Sequence, residues 1–134
     1  MKVALVIERD PESVKLVRAI LELWDYAIIS APSIAVALER IRAAPPDVIL
    51  CDIAAPVTEA FLFIRELRDS PDVRLKKMPV IATAASCEDV DARAVRAAGF
   101  DLFLRKPLDP DQLPHMVTLL IAASVNAAPP LGGA

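Results

Sequence analysis

The chain is poor in the residue types that hold metals, staple small folds or cradle phosphates. It has one histidine, His115, and two cysteines, Cys51 and Cys87. Their spacing matches no zinc site and no redox pair, so reduced, structural thiols are expected. His115 has no partner near it in sequence and reads as a surface or groove position on the last helix. No window approaches the ~20 apolar residues of a membrane span. The first apolar run, Val3 to Ile7, is too short for a signal peptide and meets charge at once. A cytoplasmic protein with no membrane partner is therefore expected. Fifteen basic residues stand against 18 acidic ones, for a net charge of −3. That balance gives no basic stripe and no direct contact with nucleic acid. The segment Glu8-Arg9-Asp10-Pro11-Glu12 contains no glycine. It cannot form the phosphate-cradling loop that a flavin or nucleotide binder needs after its first strand. A hydrolase using Asp52 and Glu8 finds no base–nucleophile arrangement to support it.

What remains is an apolar chain of regular punctuation. At 134 residues it is long enough for one domain with its own core. The apolar fraction of 55 % exceeds the usual ~45–50 %, as suits a sheet covered on both faces. Val3 to Ile7 reads as a buried strand. Asp10-Pro11-Glu12 starts a helix, with an acceptor at the cap, proline in the first turn and an acid against the dipole. Leu16, Val17, Ile20, Leu21 and Leu23-Trp24 continue it, and Trp24 and Tyr26 are expected to close its end over the next strand, Tyr26 to Ser30. Ser33 opens a second helix through Ile34, Ala37, Leu38 and Ile41, which Pro45-Pro46 stops. Asp47 to Asp52 is the third strand. A loop around Pro56 leads to a helix with Phe61, Leu62, Ile64 and Leu67 inward.

Asp69 to Lys77 reads as a polar loop and Val80 to Thr83 as the fourth strand. The next helix starts near Ser86, with Glu88 and Asp89 in its first turn, and stops at Gly99 in a left-handed cap. Leu102 to Leu104 is a fifth strand, and a last helix runs from about Asp109 to Ala123. Residues 1–123 form the domain, and 124–134 read as a flexible tail or linker. Strand and helix alternate five times, so the fold expected is α/β with a doubly wound parallel sheet and five helices. In such sheets ligands bind beyond the carboxyl ends of the strands. Glu8, Arg9, Asp52, Thr83 and Lys106 all lie there.

At these residues the sequence resembles the receiver domain of bacterial two-component response regulators, over roughly residues 2 to 123. The landmarks are Asp52 with Pro56 four residues later, Thr83-Ala84 after the fourth strand, and Lys106-Pro107 after the fifth. The resemblance implies a flavodoxin-like strand order, 2-1-3-4-5. It makes Asp52 the phosphoacceptor, receiving phosphoryl from a histidine kinase or a phosphotransfer protein. Lys106 would hold the phosphoryl oxygens, and the Thr83 hydroxyl would move to meet them. Phe103 matches the aromatic position that changes rotamer on activation, although plain packing also explains it. Output to a downstream protein or domain, or homodimer formation, would use the fourth helix, fifth strand and fifth helix. The chain would be no enzyme beyond accepting and losing its own phosphoryl group. Chemically, a carboxylate, an ammonium and a hydroxyl supply three of the parts that phosphoryl transfer requires.

The departures lie after the first strand and in the acceptor loop. The family usually sets two adjacent acids after the first strand, which bind magnesium together with the acceptor aspartate. Here Glu8 and Arg9 stand in those places. Glu8 and Asp52 remain as metal ligands, and with Arg9 and Lys106 the site sums to zero charge. Magnesium prefers oxygen ligands, which a guanidinium lacks, so metal binding is expected to be weak or absent. Arg9 could pair with Asp52 or Glu8, or place positive charge against the phosphoryl group as an arginine finger does. Asp10 is explained as a helix cap. In the acceptor loop, Ala60 stands where the family often has glycine and Ala55 where it has methionine, so an unusual loop conformation is expected. Three outcomes stay open: magnesium-dependent phosphorylation, metal-free or slow phosphorylation, and a degenerate receiver that docks partners without it.

Overall fold

The structure, a computed structural model, describes residues 1–53, 57–85 and 90–126. Five strands, β1 (Lys2–Ile7), β2 (Tyr26–Ala31), β3 (Val48–Asp52), β4 (Val80–Ala84) and β5 (Leu102–Arg105), form one sheet in the order β2-β1-β3-β4-β5. Every neighbouring pair is parallel. Six helices are described: α1 (Pro11–Glu22), α2 (Ile34–Ala43), α3 (Val57–Arg68), α4 (Val73–Lys76), α5 (Ala92–Ala98) and α6 (Gln112–Asn126).

Side chains alternate across each strand, and the core divides accordingly. Leu5, Ile7, Ile49, Cys51, Val80 and Ala82 face one way and pack with α2, α3 and α5. Ala4, Val6, Val48, Leu50 and Ile81 face the other way and pack with α1 and α6. The strands carry apolar residues on both faces because both are covered.

Helix starts follow the cap chemistry. Asp10 accepts from the Glu12 amide at 3.3 Å, and Ser33 accepts from Val36 at 3.2 Å. Two carboxylates fasten strand entries. Asp47 Oδ2 accepts from the Val3 amide at 2.7 Å, and Asp101 Oδ2 accepts from Val80 at 2.8 Å. Arg68, at the end of α3, donates to the carbonyls of Gly99, Lys76 and Met78 at 2.8–2.9 Å and to Asp101 at 3.1 Å. Burial pulls the Arg68 pKa down and Asp101 pulls it back up. The guanidinium stays charged at any physiological pH.

Several expectations are corrected. The polar stretch after α3 contains a short sixth helix, α4, capped by Asp72, whose side chain accepts from Arg74 at 2.9 Å. Within α3 the buried set is Ala60, Phe63, Ile64 and Leu67, while Leu62 is exposed. Helix α5 begins at Ala92 with Asp91 as its cap; Ser86, Glu88 and Asp89 lie outside the described residues. Helix α6 continues to Asn126, three residues into the expected tail.

Leu23 and Trp24 follow α1, which ends at Glu22, and are exposed. Trp24 and Tyr26 are tied to α6 as well as to their own neighbours. The Tyr26 hydroxyl and Thr118 Oγ1 are hydrogen-bonded at 2.9 Å. The Trp24 ring meets exposed His115 edge-on, with centroids 5.1 Å apart. The acceptor loop's Ala55 and Pro56, Cys87, and residues 127–134 of the tail lie outside the described residues. No described helix is long and apolar enough to cross a membrane.

Candidate functional site

The alternation that sorts the core also aims the site. Beyond Val6, the next residue in that alternation, just past the end of β1, is Glu8. Beyond Leu50 it is Asp52, beyond Ile81 it is Thr83, and beyond Leu104 it is Lys106. The ladder carries the flanking residues as well. The Glu8 amide donates to the Ala31 carbonyl at 2.9 Å, and Lys106 donates to Ala84 at 2.7 Å. Asp52 and Thr83 are register partners across β3 and β4. Four chemically distinct side chains thus converge at the carboxyl edge of one face.

Lys106 is the hub. Its ammonium lies 2.5 Å from Glu8 Oε1 and 3.7 Å from Asp52 Oδ2. The Ser13 hydroxyl of α1 is 3.5 Å away. The second Glu8 oxygen accepts from the Asp10 amide at 3.1 Å. Glu8 is 8 % exposed, so its charge has left water and depends on these partners. Asp10 receives the Ser13 hydroxyl at 2.9 Å. Its pKa is lowered, first by Ser13 and then by the Glu12 amide, as a helix cap's should be.

Arg9 does not take either carboxylate. It is exposed and lines a cavity of about 340 Å³ with Asp52, Asp10, Glu59 and Ser33. It lies at a bend two residues past the end of β1. Lys106, arriving just after β5, makes the ion pairs with Glu8 and Asp52 that were open to Arg9.

Thr83 is 4 % exposed, and its hydroxyl has no hydrogen-bond partner among the described residues. Phe103 is half-buried on the opposite face of the sheet, with α2, α3 and α5. The Arg105 guanidinium caps its ring at 5.1 Å and donates to the Val90 carbonyl at 2.8 Å. Cys51, one residue before Asp52, faces the core. Burial pushes its thiol up to about 12, and Asp52 and Glu8 push the same way.

The sequence places Glu8, Arg9, Asp52, Thr83 and Lys106 together at the strand ends, and three neighbours escaped it. Ser13 carried a signal, since a hydroxyl three residues after a capping aspartate reaches the cap. Glu59 and Arg105 depended on loop paths that no local pattern encodes.

A family model described as "Response regulator receiver domain" matches residues 4–118. The polar-differentiation response regulator DivK of Brucella ovis is 31 % identical over 107 residues, which cover 80 % of this chain and 85 % of DivK. The response regulator Rre1 of Synechocystis is 29 % identical over 88 % of this chain, which spans about half (51 %) of Rre1. Among solved structures, the receiver domain of a sensor histidine kinase from Pseudomonas aeruginosa superposes with a TM-score of 0.77 at 23 % identity. The match covers 90 % of this chain and 98 % of that one, and that protein has a magnesium ion coordinated in its active-site cleft.

Proposed function

This chain belongs to the response regulator receiver family, a family of two-component signalling modules, and from that premise we propose that Asp52 accepts phosphoryl without a bound metal. The observation that supports it most is the convergence of Asp52, Lys106 and the Thr83 hydroxyl on one face. An Asp52 oxygen would bond to phosphorus as the bond to the donor's leaving atom breaks, and the leaving electron pair stays with the donor. The aspartyl phosphate carries about −2 in place of −1. Lys106 meets the new oxygens as a charge, and Thr83 as a neutral donor. Arg9, on the wall of the cavity into which Asp52 opens, supplies the second cation.

Magnesium does not fit these residues. It needs several oxygen donors in near-octahedral array. Both Glu8 oxygens are engaged, Arg9 occupies the second acid's place, and no group of three or more metal-binding side chains exists among the described residues. No step is therefore routed through a metal.

The donor is a histidine kinase or phosphotransfer protein, and the output face is α5-β5-α6, the expected fourth helix, fifth strand and fifth helix. That face would engage an output domain, a downstream protein or a second copy. One observation favours a second reading, docking without phosphorylation: Lys106 lies closer to Glu8 than to Asp52. Intact mass after incubation with acetyl phosphate separates the two. A phosphoryl adduct that Asp52→Asn abolishes supports the acceptor reading. No adduct under any condition would leave the docking module.

A further inference from the structure

The Glu8–Lys106 ion pair is a partition between two cavities. Glu8 lines both of them. On one side lies the cavity that Asp52 shares with Arg9. On the other, between the sheet and α1, lies a cavity of about 350 Å³ that Asp52 does not line. Its volume is at the lower end of small-ligand pockets, ~300–1,000 Å³.

Its walls are apolar: Val6 and Leu50 from the sheet, Leu16 and Val17 from α1, and Pro107 and Leu108 after β5. Glu8, Ser13, Thr83 and Lys106 are its polar members. Two of them can donate to an occupant. Thr83 is 4 % exposed and lines the cavity, and its hydroxyl has no hydrogen-bond partner among the described residues. Lys106 has three N–H donors, and its contact with Ser13 is long, at 3.5 Å. Leu16 at the rim is 44 % exposed, apolar surface that an occupant would cover.

Charge fixes the ligand's class. Glu8 and Lys106 cancel at the cavity wall, and Asp52 behind them adds a negative charge. An anionic head would face Glu8 on the wall with Asp52 behind it, and a cationic head would face the lysine, each in a low dielectric where such costs are large. A neutral oxygen acceptor meets neither penalty. We infer that this cavity binds a small neutral, apolar molecule bearing one carbonyl or hydroxyl oxygen, which accepts from Thr83 and Lys106. An N–H of Lys106 turned to the occupant is turned from Asp52, so occupancy and phosphoryl acceptance oppose each other reciprocally. This coupling rests on the reading of Asp52 as acceptor; the binding does not.

Benzamide is the probe, titrated into full-length protein labelled at its valine and leucine methyls and followed by NMR, with no phosphodonor present. The expected result is saturable shifts at Val6, Val17, Leu50 and Leu108. Benzoate, which is anionic, and toluene, which has no oxygen, bind roughly five- to tenfold more weakly. Thr83→Val weakens benzamide by a similar factor. Leu108→Trp fills the cavity and abolishes the shifts; should that variant unfold, Leu16→Trp at the rim blocks entry instead. Asp52→Asn, which frees Lys106 from one carboxylate, tightens benzamide about twofold or more. An absence of saturable shifts, equal affinity for the three probes, or shifts centred on Trp24 would overturn the site. An unchanged affinity in Asp52→Asn would overturn the coupling. Because labelling by a phosphodonor is never read, failure of Asp52 as acceptor shows only in the mass experiment.

Discussion

At the scale of single residues, the local environment separates side chains that the composition treats alike. Cys51 is as close to Asp52 as a residue can be, yet it points into the core. Its raised pKa, up to about 12, keeps it a neutral thiol through the ordinary pH range. Thiolate is the reactive form, so Cys51 in the native protein should resist iodoacetamide at mildly alkaline pH and react once guanidinium unfolds the chain. Peptide mapping after each treatment checks this. Glu8 and Arg9 are adjacent in sequence and have opposite fates: one is buried against lysine, and the other is exposed on the wall of the cavity that both share with Asp52. Both lie past the last residue of β1, so the period of that strand did not tell from sequence which of the two neighbouring charges would meet the lysine.

At the scale of elements, the strand ends and most helix starts were legible because they rest on local chemistry: apolar runs, Asp or Ser caps, and proline stops. The phase of α3 was not. Phe61-Leu62-Phe63-Ile64 is apolar throughout, so the run itself carries no phase, and only its seat against the sheet decides that Phe63 faces in and Leu62 out. Helix α4 escaped notice because four residues are too few for a periodic pattern. The glycine cap was legible, and the structure adds a second reason for it. Gly99 has φ +126°, and a Cβ there would lie 3.1 Å from Arg68 Cγ and 3.2 Å from Ile64 Cγ1. Those atoms belong to the side chains that join α3 to the starts of β4 and β5. Gly99→Ala should therefore cost about 1–3 kcal/mol from backbone strain alone. Urea unfolding should show that loss as a lower midpoint with an unchanged slope. A cost near zero would contradict the backbone strain assigned to φ +126° at this position.

At the scale of the whole molecule, parallel topology and side-chain alternation together deliver Glu8, Asp52, Thr83 and Lys106 to one edge of one face. The sequence showed that these residues stand at strand ends. It could not show which cation takes the carboxylates, since Lys106 is 98 positions from Glu8 and reaches it only through the strand order. Arg9 is left at the surface, on the cavity that Asp52 lines, in the place where the family sets its second acid. The central claim is that this guanidinium does the work of a metal charge. The direct measurement is the rate of acetyl phosphate labelling of Asp52, by intact mass, with magnesium and with EDTA, in the unaltered protein and in Arg9→Asp. Labelling of the unaltered protein should change by less than roughly twofold between the two conditions. Arg9→Asp should become magnesium-dependent, because it restores the carboxylate that such a site needs. Strong magnesium dependence in the unaltered protein would contradict the claim.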